Sequence, residues 1–508
     1  MMVRNIFSNW MGLIVTGVIS FALTPVLIHG LGDFYFGMWV LTTSILDYYG
    51  LLDLGIRTTL HRFVGRLKGM NEREALDETI GTTLAITCAI GLLVVCLTVP
   101  LAYLLPKFFV VEGSARILLQ RLALLLGFSV AILFPARVLG AYLCGLQRFD
   151  LYNFGVISTA IVRAILIIAV LHFGLGVLAV AVVSLGIAVL TLLLNWRLVR
   201  FADPAASLDP RRTNWARVRE LASFSFYSFL NSMGDYLRFY TDSAVIGRML
   251  SIALVTPFSV VGRLMSYFKE VIMGFTGPQM PRMSELEGQG KDVELRQLFL
   301  RSTKGAAICS LFIGSLLLVD GREFLRLWLG ERFVDTYGLL VILTLGYMPA
   351  LAQWPSRNVV YAMGRHRPLG WWTLVEGAAN LLLSVYWAPK YGLLGVALGT
   401  TVPMLLVGLF IQPWYALRLI RIPIQQYAQE ALIRPVLGSG LFLAICSVTV
   451  GWQAQARVGA FLLSLAWQGA LLALVFYSIV LTRAERQIAL QQGRNLGGLA
   501  IRLSRMEL

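Results

Sequence analysis

Runs of about twenty apolar residues recur along this 508-residue chain, and they constrain its fold more than any other feature. A bilayer core is roughly 30 Å thick, so a helix rising about 1.5 Å per residue needs about twenty residues to cross it. By that rule spans fall near 10–31, 35–56, 79–105, 117–146, 153–172, 174–196, 221–247, 253–278, 303–320, 334–356, 369–388, 391–417, 435–455 and 459–482, about fourteen in all. The 117–146 run is long enough that it must tilt or project beyond the hydrocarbon. Only 14% of residues are charged and the mean hydropathy is +0.74, whereas soluble domains carry about 25% charged residues. A soluble enzyme, a disordered chain and a disulfide scaffold are excluded. The expected fold class is an all-α polytopic membrane protein.

The remaining composition fits that class. Cys88, Cys96, Cys144, Cys309 and Cys446 all lie in apolar runs and none forms a CxxC pair, so neither a disulfide framework nor a metal site is expected. The histidines, His29, His61, His172 and His366, are too scattered for a ligand cluster. Arg4 precedes the Trp10 to Leu31 run without a small-x-small cleavage pattern, so this run reads as a retained span.

The net charge of +16 raises the question of a polyanionic partner. With a cytoplasmic N-terminus, the inside segments hold roughly 29 Lys and Arg against about 8 outside, with about six more within spans. The inside group includes Arg57 to Arg73, Arg197 to Arg219, Arg282 to Lys304 and Arg357 to Arg367. Both termini are therefore expected in the cytoplasm. The positive excess belongs beside anionic lipid, and no nucleic-acid partner is needed.

An internal duplication is also legible. LHRFVGRLKGMNEREALDETIGTTLAITCAIG (60–91) and MPRMSELEGQGKDVELRQLFLRSTKGAAICSLFIG (280–314) both place a basic amphipathic segment before an apolar span. FGLGVLAVA (173–181) resembles YGLLGVALG (391–399), GLQRF (145–149) matches AMGRHR (362–367) in place, and NWMG (9–12) echoes NSMG (231–234), at a roughly constant offset. The expected organisation is a six-helix lobe over 1–200, a cytoplasmic linker at 201–220, a second six-helix lobe over 221–418, an extra helix pair at 419–482 and an amphipathic cytoplasmic tail at 483–508. An even number of spans per copy gives both lobes the same orientation, related by a pseudo-twofold axis along the membrane normal.

No catalytic signature is present: no G-x-S-x-G, no Walker loop, no H-E-x-x-H. The informative residues are charges within spans, each costing about 2.5–3.5 kcal/mol on insertion scales and normally facing a cavity or a partner. Asn231, Asp235, Arg238 and Asp242 follow a 4-3-4 spacing and share one face of the seventh span, with Tyr227 extending the stripe. The eighth span repeats this with Ser259, Arg263, Ser266 and Glu270, and Lys269 beside them. Thr43, Asp47 and Gly50 share a face of the second span; Arg137 lies in the fourth, Thr159 and Arg163 in the fifth, and Glu376 with Asn380 in the eleventh. These residues point to a central polar cavity. Arg137, Arg163, Arg238, Arg263 and Lys269 would hold an anion, and Asp47, Asn231, Asp235, Asp242 and Glu376 would supply polar or ion-coupling groups. The competing reading is neutralisation across helix interfaces, as between Asp235 and Arg238 or Arg263 and Glu270. Trp10, Trp328 and Trp354 fit an interfacial aromatic belt.

Two segments carry a family resemblance. LGDFYFGMWVLTTSILDYYGLLDLGI (31–56) and FLRLWLGERF (324–333) resemble the bacterial polysaccharide-export and O-antigen flippase family, part of a superfamily that also holds multidrug extruders and lipid II flippases. Gly32, Gly37, Asp53 and Gly55 are the family-like positions. The resemblance implies a flippase without cofactors that moves an undecaprenyl-pyrophosphate-linked oligosaccharide across the inner membrane by alternating access. It also implies membrane lipids, a polysaccharide polymerase and glycosyltransferases as partners; the residues leave two drives open, the membrane potential or exchange of a proton or sodium ion at Asp47, Asp235, Asp242 or Glu376. Arg offers paired donors for phosphate oxygens. An inside-negative potential assists outward movement of an anion by about 2.3 kcal/mol per charge per 100 mV. A cation-coupled multidrug extruder on the same scaffold is the alternative, with a more acidic and aromatic cavity. A membrane-embedded glycosyltransferase or polymerase would need a larger outer loop than the stretch from Asp320 to Val334 provides.

Overall fold

The structure, a computed structural model, describes residues 2–53, 72–214, 240–277, 279–365, 367–449 and 458–482, with single positions 60, 63, 64, 67, 70, 233, 236, 237 and 486. The described residues form helices and turns, with no strand among them. The first half contains α1 (Met2–Leu31), α2 (Asp33–Asp47), α3 (Arg73–Phe108), α4 (Gly113–Gly145), α5 (Phe149–His172) and α6 (Gly176–Ala202). Next come α7 (Thr241–Met249), α8 (Val255–Thr276), α9 (Gln279–Gly288), α10 (Asp292–Leu329), α11 (Tyr337–Ala352) and α12 (Trp354–Ala362). The chain continues through α13 (Arg367–Tyr391), α14 (Leu393–Leu405), α15 (Gln412–Ile420), α16 (Ile424–Tyr427), α17 (Ile433–Thr449) and α18 (Val458–Val475).

Among the described residues, ten helical segments are long and apolar enough to cross a membrane. Three further expected spans are helical but carry polar interruptions or are short. α2 gives way to a 3₁₀ turn at Tyr48–Asp53, α8 carries Arg263, Lys269 and Glu270, and α13 carries Glu376, Asn380 and Ser384. Of the expected seventh span, little beyond α7 is described, and Asn231, Asp235 and Arg238 lie outside the described residues. So does almost all of the 483–508 tail. Pro413 cannot donate to a carbonyl four residues back, and the helix widens just before it into a π-turn at Leu406–Ile411.

The chain forms two compact units, Met1–Arg263 with Arg367–Pro403, and Leu264–His366 with Met404–Leu508. In the first, α4 packs against both α3 and α6, and α1 packs along α5. Leu76, Ile80, Leu139, Tyr142, Leu198 and Val199 form part of a buried apolar core at one end of α3, α4 and α6. In the second unit, α10 is the central element, packed on α11 and α17. Phe312 meets Phe442 edge-on at 5.5 Å, and Gln468 Nε2 donates to the buried Asp320 carboxylate at 3.1 Å, tying α18 to α10. The Leu-Trp-Leu-Gly turn is held by Arg326, whose guanidinium donates to both Glu331 carboxylate oxygens at 2.6 and 3.1 Å and to Glu323 at 2.6 Å.

The stretch after α6 is strapped to the first unit. Arg73 and Tyr142 donate to Asp203 Oδ2 at 2.7 and 2.6 Å. Ser207 N donates to Asp77 Oδ1 at 3.0 Å, and Asn214 reaches Thr82 and Glu78 at 3.0 and 3.1 Å. Burial alone would raise the Asp203 carboxyl, but the Arg73 and Tyr142 donors and the Arg73 charge hold it below the ordinary carboxylate range. A depressed folded-state value means the attachment is fully present at neutral pH and is lost only as pH falls through that lowered value. Asp203→Asn removes the charge at neutral pH, a loss of about 1–2 kcal/mol. Limited proteolysis at neutral pH should then cut within 203–214 up to about tenfold faster than in the wild type.

Candidate functional site

The first unit gathers most of the described intramembrane charges. At the start of α7 three consecutive polar side chains, Thr241, Asp242 and Ser243, point in two directions. Asp242 turns toward α13 and α14: Thr400 Oγ1 donates to its Oδ2 at 2.8 Å. Asn380 Nδ2 donates to Thr400 Oγ1 at 3.4 Å, and Ser384 Oγ donates to Asn380 Oδ1 at 3.0 Å. Glu376, Asn380 and Ser384 are spaced by four on α13 and so share one face. All are buried, with Asp242 at 5% exposure and Glu376 at 2%. Asp242 Oδ1 has no hydrogen-bond partner among the described residues. A buried carboxylate surrounded by hydroxyl and amide oxygens, with one oxygen unspent, matches what a small monovalent cation or a proton requires. No group of three or more His, Cys, Asp or Glu suited to a metal ion occurs among the described residues.

The neighbours of Asp242 face α2 instead. Ser44 Oγ donates to Ser243 Oγ at 3.2 Å, and the Tyr48 and Thr241 hydroxyls share a hydrogen bond at 2.5 Å. Further along, Thr256 Oγ1 donates to the Asp33 carbonyl at 2.6 Å. A Cβ on Gly37 would lie 2.2 Å from the Ile252 carbonyl oxygen, so only glycine lets the two backbones come this close. The α2 helix is thus fastened along its length to α7 and to the turn that enters α8.

Three of the arginines and one carboxylate fall into two pairs. Arg137 on α4 lies within electrostatic reach of Asp47 at the end of α2, and its guanidinium sits 5.7 Å from the Phe134 ring centroid. Arg163 on α5 and Arg263 on α8 lie within electrostatic reach of each other. Both are exposed, and neither has an ion-pair partner among the described residues. Two like charges within reach of each other, with no counter-charge among the described residues, favour an anion, and planar guanidinium forks suit phosphate oxygens. The structure therefore pairs Asp47 with Arg137 and Arg163 with Arg263, and gives Asp242 partners from α13 and α14. Lys269 belongs to the second unit and is half-buried. Sequence reasoning did not single out Thr400, Ser384, Tyr48 or Thr241. Ser384 continues the 376-380 spacing and was legible in principle, whereas Thr400 is joined to the site only by tertiary packing.

Comparison with known proteins places this arrangement in context. A family model described as "Polysaccharide biosynthesis protein" matches residues 35–337. The uncharacterized membrane protein EpsK of Bacillus subtilis (strain 168) is 24% identical over 535 residues, covering 97% of this chain and 98% of that protein. A putative O-antigen transporter of Shigella flexneri is 20% identical over 422 residues, covering 81% of this chain and 97% of that protein. Among solved structures, the lipid II flippase MurJ in an inward closed conformation superposes with a TM-score of 0.70 at 13% identity, covering 93% of this chain and 98% of that one. An inward-facing multidrug resistance MATE family transporter of the MOP superfamily gives 0.68 at 15% identity, covering 80% and 95%. These structural likenesses establish the fold.

Proposed function

The chain belongs to the polysaccharide biosynthesis protein family, and from that premise we propose that it flips an undecaprenyl-pyrophosphate-linked oligosaccharide from the cytoplasmic to the outer leaflet of the inner membrane by alternating access. It is a multi-pass membrane transporter and not an enzyme. The observation that carries the reading is the Arg163–Arg263 pair: two exposed guanidiniums on membrane helices, within electrostatic reach of each other and with no ion-pair partner among the described residues, suit an anion, and a pyrophosphate linkage supplies one. The likeness to a lipid II flippase supports a lipid-linked cargo, and the putative O-antigen transporter supports a glycan. In this reading two six-helix lobes alternate, the extra helix pair stands beside them, and both termini face the cytoplasm. A polymerase and glycosyltransferases act on either side of the step. Arg238 remains a candidate for the same anion, Lys269 for an anion contact within its own unit, and Asn231 and Asp235 for the polar lining.

The Asp242 cluster is the coupling site of this proposal. Its oxygens load a sodium ion or a proton, with Glu376 on the same α13 face as Asn380. Asp47 is less suited, because Arg137 already offsets its charge. A deletion strain should accumulate the lipid-linked oligosaccharide in the cytoplasmic leaflet and lose surface polysaccharide, with unchanged drug susceptibility. The second reading, a cation-coupled multidrug extruder, draws on the buried acidic cluster and the MATE fold likeness. Hypersensitivity to cationic drugs without glycolipid accumulation would favour it.

A further inference from the structure

Three tyrosines converge in the first unit, one of them next to Asp47 in the chain. Tyr48 begins the 3₁₀ turn that ends α2, and Tyr236 and Tyr240 lie just ahead of α7. The Tyr236 and Tyr240 rings stack with centroids 5.0 Å apart and planes at 24°. Tyr48 lies 5.8 Å from Tyr236 and 6.4 Å from Tyr240, and its hydroxyl is fixed by Thr241. Gly50 makes the arrangement possible, since an added Cβ would fall 1.8 Å from the Tyr236 hydroxyl oxygen. All three rings remain partly exposed. A cluster serving the core alone would bury them, as Tyr142 and Tyr427 are buried elsewhere in the chain.

The polar groups beside the rings narrow the ligand class. Asp47 directly precedes Tyr48 in the chain and is exposed. A lone carboxylate among aromatic faces would select a cation. Here Arg137 lies within electrostatic reach of Asp47, so a donor of opposite charge accompanies the carboxylate. Flat rings with an acceptor and donor pair suit a pyranose. Its C–H face lies on an aromatic plane through weak contacts, and its vicinal hydroxyls donate to a carboxylate. A polyprenyl tail has no use for the Asp47–Arg137 pair.

We propose that Tyr48, Tyr236 and Tyr240, with Asp47 and Arg137, form a saccharide subsite that seats a sugar ring of the transported glycan. This rests on the reading of the chain as an exporter of a lipid-linked glycan. Two probes separate the claims: undecaprenyl pyrophosphate alone, and the glycan-bearing lipid isolated from the deletion strain. The purified wild-type protein should bind the glycan-bearing lipid about tenfold more tightly than the bare one, the size of one or two ring contacts. Tyr240→Leu and Tyr48→Leu should remove that advantage and leave affinity for the bare lipid unchanged, which also shows that the variants fold. Tyr240→Phe should keep it. Equal binding of the two probes by the wild type, or a tenfold preference surviving in both leucine variants, overturns the subsite while leaving the exporter reading standing. Failure of the wild type to bind either lipid overturns the exporter reading itself.

Discussion

Replacing Arg163 and Arg263 together with Ala is expected to abolish surface polysaccharide while the protein remains in the membrane at normal abundance. Each guanidinium can give a phosphate paired, charge-assisted hydrogen bonds worth about 1.5–3 kcal/mol. Losing both costs about 3–6 kcal/mol of headgroup affinity, or roughly 10²–10⁴-fold. Folding should not suffer, because the two side chains repel each other and neither holds an ion pair among the described residues. Arg163→Lys keeps the charge but loses the fork, so it should fall between wild type and Ala. Surface polysaccharide measured beside protein level checks the first claim, and lipid pyrophosphate binding checks the second. Full export in the double variant would remove the proposed anion site.

Asp242→Asn should uncouple the protein. The amide keeps the shape of the carboxylate and can still accept from Thr400, whose hydroxyl lies 2.8 Å away. It cannot neutralise a cation. We expect export to lose its dependence on an imposed sodium or proton gradient and its rate to fall by about two orders of magnitude, the equivalent of about 2.7 kcal/mol. Thermal stability should rise, since removing a buried charge with an unsatisfied oxygen relieves a desolvation cost of at least about 1 kcal/mol. Thr400→Val should show a weaker form of the same defect. Gradient-driven export in vesicles reads the coupling, and a variant that keeps full gradient dependence would move the coupling site away from Asp242.

These two predictions rest on different amounts of sequence information. The apolar runs located α3, α4, α5 and α6 closely because each holds a window of bilayer length with at most two charged residues. The apolar run predicts a second span over 35–56, but α2 stops at Asp47 and tightens into a 3₁₀ turn, where Gly50 meets Tyr236. The shared face of Glu376 and Asn380 was legible because helical periodicity is local. That Thr400 completes the cluster was not, because it depends on how α14 packs on α13 and α7. Arg163 and Arg263 stood out individually as charges inside spans. Their pairing joins positions a hundred residues apart, and no spacing rule connects them. The family resemblance at 31–56 fell on α2 and its turn, where the seam to α7 and the Gly37 approach make the local sequence demanding. The resemblance at 324–333 fell on the turn that Arg326 clamps.

Reconstitution tests the central claim most directly. Purified protein in liposomes loaded on one leaflet with the glycan-bearing lipid should deliver it to the other leaflet, where a membrane-impermeant lectin reads it. An imposed potential positive on the receiving side should speed delivery, because each negative charge moved gains about 2.3 kcal/mol per 100 mV. Wild-type protein should move the lipid, and the Arg163→Ala, Arg263→Ala variant should not. Delivery no faster than in protein-free liposomes, or equal for wild type and variant, would contradict it.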